Sequence, residues 1–222
     1  MHGAGSGVIW TIDALLTGRA VPFGVDGEPS AIGKTPVDRP LRVGPMGIEG
    51  DEQADLVHHG GVDKAIHHYP RDHYAFWRAR LGPDSLLNGP GAFGENITTT
   101  GLVEAGLCIG DRLRLGTALV EVSQARQPCW KLGRRFGIES VPATVVKTAY
   151  SGWYYRVIEN GLVAAGDRLE MVDRPLPQWP VDLVFRLLIG GTAKREPALA
   201  RALAALPQLS VTWRKRAAAF SG

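Results

Sequence analysis

The stretch SQARQPCWKLG, residues 123–133, holds Cys129, one of two cysteines in a chain of 222 residues. Gln124, Arg126 and Gln127 precede it and Lys131 follows. Cations beside a thiol favour its thiolate, which is either a nucleophile or a ligand for a soft metal. Pro128 removes a backbone donor and sets the turn before the sulfur. Cys108, in GLCIG, has apolar neighbours on both sides and reads as a core residue. A Cys–His hydrolase would need a base histidine within reach, and linear order places none.

Three other stretches have the residue types for chemistry: GPMGIEGDEQAD (44–55), HHGGVDKAIHHY (58–69) and GAFGENITTTG (91–101). Gly60 and Gly61 would let a ligand approach backbone amides, and Lys64 adds a point charge; together they could hold a phosphate. A glycine hairpin with a solvated lysine fits the same letters. His58, His59, His67, His68 and His73 cluster, but their spacing matches no zinc motif. If residues 65–69 form a strand, His67 and His68 face opposite sides and at most one enters any given site. His73 is expected on a helix surface. Asn96 could hydrogen-bond a heterocycle or fix a loop, and Glu95 could carry a proton, pair with a cation or cap a turn.

The elements that must position these groups read as mostly β. Gly and Pro, 28 and 15 in number, punctuate the whole chain into short segments rather than pooling in one linker. Strands are predicted at 8–12, 65–69, 112–115 and 119–123, the last two joined as a hairpin through Gly116-Thr117. GLCIGDRLRLG (106–116) is echoed by GLVAAGDRLEMV (161–172), as if one turn-and-strand device were used twice. Helices are predicted at 71–80, behind Pro70 and closed by Gly82-Pro83, and at 141–150, with Ser140 as cap. After RPLPQWP, three short helices are predicted at 181–189, 197–206 and 210–219, too small a unit to stand alone. The fold expected is mainly β with α additions, a body over 1–173 and a three-helix C-terminal extension over 181–222.

Composition narrows the function classes. The formal net charge is +3, and no long Lys/Arg run is present, so nucleic acid is not an expected partner. No apolar run reaches transmembrane length, and the N-terminus lacks the pattern of a secretory signal. Two cysteines make no disulfide framework. A soluble cytoplasmic protein is expected.

GIEGDEQAD, HHGGVDKAIHHYPRDHY, FGENITTTGL, IGDRLRLG and VSQARQPCWKL, in that order, resemble the MOSC domain, named for the C-terminal domain of molybdenum-cofactor sulfurases. The likeness covers residues 30–173 and is greatest to a stand-alone bacterial branch associated with 6-hydroxylaminopurine resistance, which also carries a helical extension. It implies a β-barrel body and the molybdenum cofactor, molybdopterin, with Cys129 as metal ligand and catalytic residue. His59, Gly60, Gly61, Asp63, Lys64 and Ala65 fall on one family motif, Gly94, Glu95 and Asn96 on a second, and Gln124, Arg126, Pro128 and Cys129 on a third. For such a cofactor, the Gly60 and Gly61 amides with Lys64 and Arg126 could hold the phosphate tail, Asn96 and Gln124 could pair with the pterin edge, and Lys131 is a further expected cofactor contact; His59, Glu95 or His68 could deliver protons. The activity implied is reduction of N-hydroxylated bases and related N-oxygenated compounds. The chain has no flavin, haem or iron–sulfur motif, so the partners expected are the small-molecule substrate, a separate electron-donating reductase of the flavoprotein kind, and a second copy in a homodimer. Two other readings use the same cysteine: a molybdenum-cofactor carrier without turnover, and a sulfur carrier through a Cys129 persulfide.

Overall fold

The computed structural model of the chain describes residues 7–24, 27–54, 60–83 and 85–220. His58 and His59 lie outside the described residues, and so does the proton-carrying role expected of His59.

In chain order the strands are β1 (Ile9–Thr11), β2 (Ala14–Thr17), β3 (Val21–Phe23), β4 (Glu28–Ser30), β5 (Thr35–Pro36), β6 (Leu41–Gly44) and β7 (Gly47–Ile48). They continue with β8 (Ile66–His68), β9 (Ile97–Thr98), β10 (Arg112–Leu115), β11 (Ala118–Ala125), β12 (Trp153–Glu159), β13 (Gly161–Val163) and β14 (Arg168–Asp173). The helices are α1 (His73–Leu81), α2 (Trp130–Phe136), α3 (Val141–Thr148), α4 (Val181–Leu188), α5 (Pro197–Ala204) and α6 (Val211–Ala218). One nine-stranded sheet, ordered β1-β14-β10-β11-β12-β8-β9-β2-β5, curls into a half-barrel. The β-barrel body expected from the sequence is present as this half-barrel: among the described residues β1 and β5 end the sheet without pairing to each other. β5 contains Pro36, which has no N–H to continue a ladder.

The predicted hairpin is present, with Leu115 opposite Ala118 across Gly116-Thr117. The two echoed segments become adjacent antiparallel strands, Leu115 against Leu169 and Leu113 against Met171. Their turns match as well. Asp111 accepts the Cys108 N–H at 2.8 Å, and Asp167 accepts the Ala164 N–H at 2.8 Å. Each follows a glycine in the left-handed region, Gly110 at φ 83° and Gly166 at φ 88°. All eight residues of β11 are buried, as expected of a central strand covered on both faces. Its Glu121 is tolerated there because Arg112 and Arg156 donate to it at 3.0 and 2.8 Å.

Helix positions follow the predictions with shifted ends. α1 is closed by Gly82, whose N–H bonds the Arg78 carbonyl. α3 stops at Thr148 rather than at 150, because Ala149 turns into the left-handed region at φ 64°. Ser140 is not the side-chain cap expected of it; its carbonyl instead accepts from the Thr144 N–H and hydroxyl. His73, expected at the surface, is buried. Its Nε2 lies 2.7 Å from Glu104 and its ring stacks on Tyr150 at 3.8 Å, a pairing across the chain that helix position alone does not reveal. The C-terminal helices share one apolar core with the sheet through Phe185, Leu203 and Trp213.

Candidate functional site

β11 ends at Ala125 and hands the chain to Arg126, Pro128 and Cys129. Cys129 has extended backbone, φ −126° and ψ 169°, and α2 begins at the next residue. That helix ends cleanly because Gly137 adopts a left-handed φ of 65°. Cys129 is therefore held between a rigid central strand and a helix, and it is partly buried on the wall of a cleft.

The cleft encloses about 660 Å³ of empty space, part of it open to solvent. Its walls come from the β4 end (Ser30, Ile32, Lys34), the segment Asp51–Ala54, the end of the glycine turn (Lys64), β8 (His67), the loop before β9 (Phe93, Gly94, Asn96), β12 (Tyr154) and the cysteine segment (Arg126, Cys129, Lys131). Four cations, Lys34, Lys64, Arg126 and Lys131, face two carboxylates, Asp51 and Glu52. The balance favours an anionic ligand.

The cations are held in different ways. Lys34 pairs with Asp51, and burial lowers its pKa against the opposing pull of that carboxylate. Asp51 also accepts from the Gly18 N–H at 2.8 Å and from Asn96 Nδ2 at 2.8 Å. Lys131 donates to the Pro29 carbonyl at 2.9 Å, which ties α2 to the β3–β4 hairpin. Arg126 is 7% exposed and its charge lies beside the Tyr154 hydroxyl. Burial raises the Tyr154 pKa, so the phenol stays protonated at neutral pH. Burial, and then the Arg126 charge, push His67 well below its ordinary pKa, so its ring is neutral. The ring lies beside the Gly94 carbonyl, while Nε2 is buried without a hydrogen-bond partner among the described residues.

Cys129, Lys64, Asn96, Arg126 and Lys131, all expected from the sequence, line this one cleft. Others do not. Glu95 is fully buried, and its carboxylate accepts from Tyr74 Oη at 2.6 Å, the Gly91 N–H at 2.6 Å and the Phe93 N–H at 3.0 Å. It shapes the loop rather than facing the cleft. Gln124 is buried behind the wall, its Nε2 on the Ala125 carbonyl and its Oε1 without a partner among the described residues. Gly60 and Gly61 lie outside the lining, and the Gly61 N–H is bound by Gln53 at 2.7 Å. Asn96 lines the wall, but its amide is engaged with the His67 N–H, the Leu16 carbonyl and Asp51. His68 points away, between Tyr155 and Thr99, and burial pushes its pKa down to about 3. The alternation of β8 thus puts His67, not His68, in the cleft. Lys34, Asp51 and Tyr154 were not singled out in the sequence; only GIEGD marked the neighbourhood of Asp51.

The donor set bears on what the cleft could hold. Among the described residues no three His, Cys, Asp or Glu side chains gather to bind a metal ion. A metal at Cys129 would have to arrive with most of its own ligands. A dithiolene-chelated molybdenum does so, and a thiolate suits it as the protein's single contribution. Lys34, Lys64, Arg126 and Lys131 suit the phosphate of such a cofactor. The residues present therefore fit the group.

Residues 55–170 match the model of the MOSC domain. The chain is 45% identical over 160 residues to "Protein YiiM" of Escherichia coli (strain K12), covering 72% of this chain and 71% of that one. It is 39% identical over 176 residues to a protein of Gibberella moniliformis named "Reductase", covering 78% of this chain but 31% of that longer one. The crystal structure of YiiM from Geobacillus stearothermophilus superposes with a TM-score of 0.80 at 32% identity, over 96% of this chain and 100% of that one.

Proposed function

Because the chain belongs to the MOSC domain family, we propose that it binds the molybdenum cofactor in the cleft at Cys129 and reduces N-hydroxylated bases and related N-oxygenated compounds to amines. The observation that carries this reading is the convergence of one partly buried thiol and four cations on a single cleft that has no protein cluster able to bind a metal by itself among the described residues. The fungal relative named a reductase supports the reaction class.

The net change is R–NHOH + 2 e⁻ + 2 H⁺ → R–NH₂ + H₂O. When bound, the cofactor would supply a metal that can cycle between oxidation states. The chain's own groups do the rest. Cys129 offers its sulfur as metal ligand. Lys34, Lys64, Arg126 and Lys131 would hold the anionic tail, with Arg126 beside the Tyr154 hydroxyl. Neutral His67 and protonated Tyr154 give the wall a polar, uncharged stretch between the cations. Phe93 packs face to face on Tyr69 at 4.0 Å and closes the apolar side.

The test is the molybdenum and pterin content of protein expressed in a cofactor-competent host, with Cys129→Ser alongside. Loaded protein is then assayed on an N-hydroxylated purine with a chemical reductant. Stoichiometric molybdenum that Cys129→Ser loses, together with amine formation, supports the reading. Loading without turnover leaves a cofactor carrier. Full loading of Cys129→Ser would remove the thiolate from the metal.

A further inference from the structure

Residues 181–222 hold seven Lys and Arg side chains against two acidic ones, a net charge of +5 in a chain whose total is +3. The basic character of the molecule therefore resides in its helical tail, and the remainder is slightly acidic. Part of that tail lies beside the cleft. Arg216 of α6 donates to Gln127 Oε1 at 2.8 Å, two residues before Cys129. The Val211 N–H at the start of α6 bonds Asp63 Oδ2 at 3.2 Å, next to Lys64 of the cleft wall. The Ser210 N–H bonds the Ser123 carbonyl at 3.0 Å. α6 thus touches the glycine turn, the central strand and the cysteine segment together. It carries no acidic residue, and Lys215 and Arg216 are exposed.

Apolar side chains interleave with this charge. Val62 on the glycine turn and Val211 on α6, brought together through Asp63, are 55% and 50% exposed. Cations steer an encounter, and a few apolar anchors hold it; that is the composition of a transient protein interface. A nucleic-acid backbone would gain nothing from Val62 or Val211. The proposed reduction consumes two electrons, and among the described residues no three His, Cys, Asp or Glu side chains gather that could hold a redox metal. The electrons come from another molecule.

Building on the reductase reading, we propose that the face formed by α6 and Val62 is the docking surface for an acidic flavoprotein that delivers those electrons beside Cys129. The complex is short-lived and salt-sensitive, because its attraction runs between exposed charges.

The test uses cofactor-loaded full-length protein and two donors: reduced flavodoxin, an acidic FMN protein, and dithionite-reduced methyl viologen, a small dye. Val211→Glu combined with Lys215→Glu, and Lys215→Glu alone, are compared with the unaltered chain after their melting curves are shown to coincide. The expected result is a rise of about tenfold in KM for flavodoxin in the double variant at low salt, a smaller rise in the single one, and dye-driven rates within about twofold. The difference should shrink towards about 0.3 M salt. An unchanged KM for flavodoxin would overturn the docking surface. If the unaltered protein turns over with neither donor, the reductase reading fails instead, and the surface is judged by direct titration of flavodoxin. Salt-sensitive binding that the double variant loses sustains it; no binding, or tighter binding of random-sequence duplex DNA under the same conditions, overturns it.

Discussion

Cys129 and Lys131 stand two positions apart in the chain, yet the structure gives them separate tasks. The thiol faces the cleft, whereas the ammonium reaches across to the Pro29 carbonyl. Cys129→Ser is expected to lower bound molybdenum about tenfold or more while leaving the melting curve nearly unchanged, since the side chain is only partly buried. The histidines of β8 make a second residue-scale prediction. The native state keeps His68 neutral down to about pH 3, whereas the unfolded chain takes up that proton near pH 6.5. Below about 6.5 the unfolded state therefore binds more protons, and stability falls by about 1.4 kcal/mol per pH unit for this group. His67 acts in the same direction. Urea melts between about pH 6 and pH 4 should show His68→Phe with a shallower loss than the unaltered chain by about that slope; parallel pH profiles would refute the assignment.

The loop before β9 and the turn before β12 are the elements that give the cleft its shape. Glu95 gathers two backbone N–H groups and the Tyr74 hydroxyl, so Glu95→Ala leaves three buried donors unpaired. A loss of about 3 kcal/mol or more is expected in denaturant unfolding; a loss under about 1 kcal/mol would mean that the carboxylate does not anchor the loop. Gly152 leads into β12, which carries Tyr154 to the wall. Its φ is 66°, and a Cβ there would collide with the His68 carbonyl oxygen. Gly152→Ala is expected to cost at least about 2 kcal/mol, and melting curves would show it. These two glycine-adjacent elements were visible as motifs or punctuation, but the direction of the Glu95 carboxylate was not. A charged residue in GEN reads equally as a proton carrier or as a loop anchor until its partners are known.

At the scale of the whole molecule, the half-barrel and the C-terminal helices share their apolar core. Cys108 pairs with Pro180 in an isolated bridge, the Val181 N–H bonds the Leu107 carbonyl, and Asp63 links α6 to Arg156 of β12. Deleting residues 181–222 is expected to expose the body's share of that core and to give aggregated protein. The full chain is expected to unfold in a single calorimetric transition. Two resolved transitions, or a soluble and cooperatively folding 1–180 fragment, would show the tail to be an independent unit.

By itself the sequence determined the mostly β class, the paired Gly-Asp turns, five of the six helices (all but α2) and the family. Those depend on local periodicity, turn chemistry and motif order, which are written along the chain. It also marked Cys129, Lys64, Arg126 and Lys131, because cations and a thiol in polar company stand out residue by residue. Only the tertiary structure decided that the barrel stays open, that His73 is buried against Glu104, and that Lys34, Asp51, His67 and Tyr154 join the cleft. Each depends on which strands become neighbours and which face of each turns inward. Lys34 and Asp51 are 17 residues apart, and Asn96 lies 45 beyond Asp51. No local pattern ties such partners together; burial and the need to satisfy every polar group inside the fold do.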